Sequence, residues 1–310
     1  MSNRRRIHEA LGALLEHRHR PRPVTGATPG RSLVAGVNAT FREYEAYRPP
    51  ELRILEDPWA HLFAERHPLV VGLRALRFVA PPLERELQQL STAHCTRHCS
   101  LDTLIGQAVD EGFTQIVIIG AGYDMRASRF PRDGVRWFEV DLPDTANRKW
   151  ARLEGRADVN RAVVRVPSDL IAQGLAGALE AAPIDLAVPT CFVLEGLLHY
   201  LSPAVIDATI EAMAAGTARR RVLLSFIDPQ MMPRASSLFV TLVKAVREAP
   251  REYLSPEALA ARFAARGLPM TGHWDFAAQA AAFAPAALRR PVRLSQDVAR
   301  FDRAAPPSPP

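Results

Sequence analysis

The chain has 310 residues, 48% of them apolar and 23% charged, and a formal net charge of +6. These are the proportions of an ordinary globular enzyme, and the length suits one large α/β domain with added helices. The positive balance excludes a basic nucleic-acid-binding domain once it is located. Residues 1–31 carry seven arginines against Glu9 and Glu16, which leaves the rest of the chain close to neutral.

Residues 1–32 read as a basic, flexible arm with a possible helix over Ile7–His17, followed by a stretch rich in proline and glycine. No aromatic residue interleaves its charges, so neither nucleic acid nor membrane is the expected partner. Gly26–Ser32 mimics a phosphate loop but lacks the lysine, the spacing and a preceding strand. Residues 33–111 read as a helical cap, with segments over Leu33–Tyr44, Asp57–Ala64, the region Leu69–Val79 and Leu83–Glu111, broken at Pro49-Pro50 and Pro81-Pro82. The most hydrophobic stretch, Leu69–Leu83, is interrupted by Arg74 and Arg77, and the N-terminus lacks the apolar core of a signal peptide. Cys95, Cys99 and Cys191 are too few for a disulfide scaffold. A cytoplasmic protein is expected. Lysine occurs only at Lys149 and Lys244 beside abundant arginine and alanine, a bias typical of a GC-rich bacterial genome.

Residues 112–302 alternate strand and helix. Strands are expected over Gln115–Ile119, Val135–Val140, Ala162–Val166, Cys191–Leu194 and Val222–Ile227. Helices are expected over Met125–Arg129, Thr145–Glu154, Leu170–Ala181, Pro203–Ala215 and Ser236–Arg247. Ser255-Pro256-Glu257 opens a further helix to Gly267, residues 268–295 supply the last one or two strands, and 303–310 form a disordered tail. The alternation predicts an α/β fold with a parallel, doubly wound sheet and its ligand at the carboxyl ends of the strands.

The stretch Gln115–Pro143 carries the chemistry. A buried strand runs into Gly120-Ala121-Gly122, and a second strand ends in Glu139 and Asp141, 19 and 21 residues after Gly120. A glycine turn lets the backbone approach a ligand, and an acid at the next strand tip accepts hydrogen bonds from ribose hydroxyls. A dinucleotide fingerprint would place a small residue where Met125 stands, which argues against a nicotinamide oxidoreductase. The turn suits S-adenosylmethionine instead, which has a ribose and an amino-acid tail but no phosphate.

GAGYDMRASRF, FEVDLPDTANRK and LEGLLHYLSP resemble three blocks of the leucine carboxyl methyltransferase family. The resemblance extends to Phe41–Glu45, Asp57–Ala60, Arg97 five residues before Asp102, Ser168–Leu170 and Pro189-Thr190. It implies a mostly parallel, seven-stranded, Rossmann-like methyltransferase sheet with an N-terminal helical extension, and S-adenosylmethionine as cofactor. It further implies that Gly120 and Gly122 underlie the methionyl portion, that Asp141 holds the ribose, and that Asp169 and Leu170 meet the adenine. Arg97 clamps the tail carboxylate and Glu195 takes the ammonium. Glu139 is the alternative to Asp141 on the same strand face, with an ion pair to an arginine as its other role. Asp169 or Ser168 also suits helix capping.

His199 is a candidate general base and Tyr200 a candidate for orienting the acceptor. His94, Cys95, His98 and Cys99 form two i,i+4 pairs rotated by about 100° from each other, so no metal is expected there. The reaction expected is O-methylation of a small molecule, with a carboxylate as leading acceptor, a hydroxyl as alternative, and a non-catalytic binding protein as the rival from outside enzymology. The Asn/Asp-Pro-Pro-Tyr/Phe motif of amino-group methylation of bases is absent.

Overall fold

A computed structural model describes residues 33–64, 81–234, 252–292 and 295–304. The expected arm with its helix Ile7–His17, the region Leu69–Val79, the helix Ser236–Arg247 and the tail beyond residue 304 lie outside the described residues. Seven strands, β1 Gln115–Ile119, β2 Arg136–Asp141, β3 Val164–Pro167, β4 Thr190–Leu194, β5 Arg220–Phe226, β6 Met270–Trp274 and β7 Asp297–Arg303, form one sheet in the order β3-β2-β1-β4-β5-β7-β6. β1 to β5 pair in parallel, whereas β7 runs antiparallel to β5 and β6 on either side.

Both faces of the sheet are covered, which is why its central strands read as continuous apolar runs. Val117, Ile119, Phe138, Val140, Phe192 and Leu194 point to one face, against helices α6 Gly174–Ala181, α7 Pro203–Ala214 and α8 Pro256–Ala264. The alternate residues Ile116, Ile118, Trp137, Cys191 and Val193 point to the other, where Leu101, Leu104 and Ile105 of α3 Pro81–Asp110 close over them. The same alternation sends Glu139, Asp141 and Glu195 toward the α3 side. The remaining helices are α1 Leu33–Glu45, α2 Ala60–Phe63, α4 Arg126–Arg129, α5 Pro143–Arg152 and α9 Phe276–Phe283. No helix among the described residues is long and apolar enough to cross a membrane.

Several boundaries differ from the sequence reading, three of them instructively. α3 starts at Pro81 rather than at the expected Leu83 and takes in both prolines, because the first helical turn needs no backbone donor from its own residues. Residues 268–295 hold a helix as well as β6. Asp275 caps α9 by accepting from the Ala278 amide at 2.8 Å, and the alanine-rich run behind it favours helix. The last strand therefore starts at Asp297 and takes in Arg303, which the sequence reading gave to the tail. Arg303 is anchored through Nη2 to the Gly216 carbonyl at 2.7 Å.

Candidate active site

The strand order reverses between β1 and β4, which places the crevice at the carboxyl ends of β1, β2 and β4. Gly120 (φ +70°) and Gly122 (φ +50°) turn the chain there in a conformation that favours glycine. The Gly120 and Ala121 amides donate to the Val140 carbonyl at 2.8 and 3.2 Å, tying the turn to β2. Asp141 completes the tie: its Oδ2 accepts from the Gly122 amide, and its Oδ1 accepts from the Leu142 amide at 2.6 Å. α1 lies over the turn, with Ala35 only 3.2 Å from where a Cβ on Gly122 would stand.

Arg126 is the electrostatic centre. Its side chain is wholly buried, and the guanidinium reaches three carboxylates: Nε to Asp102 at 2.5 Å, Nη1 to Asp124 at 2.5 Å and Nη2 to Glu195 at 2.6 Å. Arg97 Nε donates to the other Glu195 oxygen at 2.9 Å, and Arg129 Nη2 lies 2.9 Å from Asp102. Three guanidiniums thus face three carboxylates, the pairing that buried charges require. Burial, the largest influence on Glu195, favours its neutral form, but the hydrogen-bonded His98 ring and the Arg126 and Arg97 guanidiniums outweigh it and hold the carboxyl well below the usual range. Asp124 is likewise held at about 2, Arg126 overcoming the effect of burial.

His98 sits inside this network. Its two ring nitrogens each face a guanidinium, Nε2 that of Arg129 at 2.7 Å and Nδ1 that of Arg126 at 2.8 Å, and Nδ1 also lies 2.8 Å from Glu195 Oε2. Ring nitrogens of His94 and His98 and a Glu195 oxygen lie within 4.8 Å of one another, a spacing compatible with a metal ion. The Arg97, Arg126 and Arg129 guanidiniums already occupy these groups, and a dication there would face three fixed positive charges.

The two candidate acids at the tip of β2 have different partners. Glu139 is buried and paired with Lys149 Nζ at 2.7 Å, a lysine rather than the arginine expected. Asp141 accepts only backbone amides among the described residues and keeps lone pairs to offer. Burial raises its pKa against the pull of those two amides. Asp169 caps a turn, its Oδ1 accepting from the Ile171 and Ala172 amides at 2.9 and 3.2 Å, while Leu170 packs into the core. Both adjoin Asp141 through the Ser168 amide, which donates to the Asp141 carbonyl at 2.8 Å. Arg97 and Glu195, expected to hold opposite ends of an amino acid, are also bonded to each other. His199 is buried with Nδ1 unpartnered among the described residues, its ring 4.3 Å from that of Tyr200. Burial, and after it Arg97, lowers its pKa to about 3.

With this geometry in hand, the comparisons are decisive for ancestry. The profile of the leucine carboxyl methyltransferase family matches residues 35–214, more than half of the chain. The chain belongs to that family. A Frankia alni relative is 34% identical over 202 residues, covering 61% of this chain and 68% of its own. One from Mycobacteroides abscessus is 32% identical over 228 residues, covering 66% and 72%. Both are provisionally named S-adenosyl-L-methionine-dependent methyltransferases. The crystal structure of a DUF574 family protein from Streptomyces avermitilis shares the fold, with a TM-score of 0.55 and 15% identity over 86% of this chain and 96% of that one.

Two of the family blocks serve the site from behind. Arg42 pairs with Asp57 at 2.8 Å and donates to the Tyr123 carbonyl at 2.7 Å, so Phe41–Glu45 and Asp57–Ala60 brace the glycine turn. Sequence reasoning gave no role to Arg126 or Lys149 and weighed His98 only as a metal ligand. Five acids converging on one crevice demanded internal cations, and that was the available signal.

The buried neutral histidines make the fold sensitive to acid. His94, His98 and His199 all have pKa values lowered chiefly by burial. Below pH about 6.5 the unfolded chain binds protons that the native state refuses, so stability falls as pH falls toward the lowered native values. A thermal melting series should show Tm dropping steadily from pH 6.5 to pH 4. A flat profile there would contradict the burial of these rings.

Proposed function

We propose that this methyltransferase moves the methyl of S-adenosylmethionine to a carboxylate oxygen of a small molecule in the bacterial cytoplasm, within a single domain spanning residues 33–302. Polyketide-type secondary metabolites are the substrate class in view. The donor set fits the cofactor. Asp141 has acceptor capacity left for ribose hydroxyls beside a turn whose backbone can approach a ligand. Asp169 Oδ2 and the Leu170 neighbourhood adjoin it for the adenine. Arg97, and the one lone pair of Glu195 Oε1 that Arg97 leaves open, suit a zwitterionic tail.

Bound there, S-adenosylmethionine supplies an electrophilic methyl on a sulfonium. The protein's part is to align an acceptor oxygen with it and exclude water. The observation that carries the carboxylate reading is the state of His199. A base with a pKa of about 3 has little appetite for a hydroxyl proton, whereas a carboxylate acceptor is already anionic and needs no base.

The test uses methyl-labelled S-adenosylmethionine with a small-molecule extract of the source bacterium. Label transferred as a methyl ester is released as methanol by mild alkali. Alkali-stable label would favour a hydroxyl acceptor, and absence of transfer would favour a binding protein. His199→Phe should keep ester formation within about threefold of wild type, since general-base catalysis is worth about a hundredfold or more. A loss of that size would restore His199 as the base.

A further inference from the structure

The imidazole of His94 has one nitrogen explained and one not. Arg97 Nη2 lies 2.8 Å from His94 Nδ1, and a guanidinium has only donors, so Nδ1 accepts. Burial, with Arg97 as the next influence, holds the pKa of His94 well below 6.5, and the ring is neutral. Its proton therefore sits on Nε2. That N–H is buried and has no hydrogen-bond partner among the described residues, an unmet donor that favours any acceptor able to reach it.

The surroundings say which acceptor. A ring nitrogen of His94 lies within 4.8 Å of a Glu195 carboxylate oxygen, at the tip of β4. Arg97 Nη2 and Asn38 Nδ2 each lie 3.9 Å from where a Cβ on Gly196 would stand. The space over Gly196 is thus bordered by two donors, a guanidinium and an amide, and Arg97, which supplies the first, is the residue the His94 ring is bonded to. Glu195, the nearby anion, is already paired with Arg97, His98 and Arg126. A cationic group would meet the donors unfavourably; an anionic oxygen would satisfy them.

We propose that His94 is a second carboxylate-binding residue of this site, its Nε2–H donating beside the Arg97 guanidinium to the carboxylate of the methionyl tail. The inference rests on the cofactor reading above. It assigns to the unexplained donor the task of distinguishing a ligand that carries an amino-acid tail from one that does not. The methyl acceptor's own carboxylate has the same chemistry and is the competing source.

The experiment is calorimetric titration of the full chain with S-adenosylhomocysteine and with 5′-methylthioadenosine, which keeps the adenosine thioether and lacks the amino-acid tail. Two variants separate the roles of the ring nitrogens. His94→Asn retains an acceptor near Nδ1 for Arg97 but withdraws the distal donor; His94→Gln restores a donor at the distance of Nε2. In His94→Asn, S-adenosylhomocysteine should bind about tenfold more weakly, with 5′-methylthioadenosine within about twofold of wild type. His94→Gln should recover most of the lost affinity. Equal weakening of both ligands in both variants would overturn the proposal, because His94 would then only maintain the pocket. Unchanged S-adenosylhomocysteine binding in His94→Asn would also overturn it, leaving the acceptor's carboxylate as the source. Failure of the wild-type chain to bind S-adenosylhomocysteine would instead sink the cofactor reading, and this inference with it.

Discussion

Replacing Arg126 by methionine should lower Tm by about 10 °C or more. The substitution keeps much of the apolar stem and removes the guanidinium, leaving Asp102, Asp124 and Glu195 facing one another around a largely buried position. Breaking a buried pair by removing one partner costs about 3–5 kcal/mol, and a domain of this size loses about 2–4 °C per kcal/mol. Arg97 and Arg129 remain to compensate Glu195 and Asp102, but Asp124 keeps only more distant charges. Arg126→Lys should fall between the two, since one ammonium preserves the charge and cannot span three carboxylates. Thermal unfolding followed by circular dichroism decides it. A methionine variant melting within 2 or 3 °C of wild type would mean that the three acids are not buried around this side chain.

The prominence of Arg126 shows where sequence reasoning reached its limit. The strands of the parallel half, their glycine turn and the acid at the tip of β2 were legible because apolar runs, glycine and acidic residues have local signatures. Which of Glu139 and Asp141 carries an internal cation was not. The answer depended on Lys149, ten residues from Glu139 in sequence and pointing back from α5 into the same pocket. Arg126 looked like one member of an arginine-rich connection, because four-residue helix α4 has no periodicity to show which side faces inward. α9 was missed for a different reason: an alanine-rich run between two strands reads by hydropathy as a buried segment of either kind, and Asp275 as its cap decides only when the chain is folded. The short blocks carried most of the functional information, since they fix residues that meet across as many as 98 positions of sequence, as Arg97 and Glu195 do.

Asp141→Asn should reduce affinity for S-adenosylhomocysteine by about a hundredfold or more while leaving Tm within a few degrees of wild type. The carboxylate accepts from the Gly122 and Leu142 amides on separate oxygens. An asparagine carbonyl can serve one of those donors; its amide would face the other donor with a donor and offer a ribose hydroxyl no anion. Each hydrogen bond to a charged group is worth about 1.5–3 kcal/mol, and two of them lost amount to about two to four powers of ten in Kd. Stability should change little, because Asp141 has no cationic partner that the substitution would strand. Glu139→Gln reverses the pattern. It leaves Lys149 buried without its carboxylate, so Tm should fall by several degrees, while affinity measured well below the melting range stays within about threefold. Calorimetric titration beside thermal unfolding of both variants gives the two axes. Binding abolished by Glu139→Gln and spared by Asp141→Asn would transfer the ribose to Glu139, and with it the geometry of everything bound beyond the glycine turn.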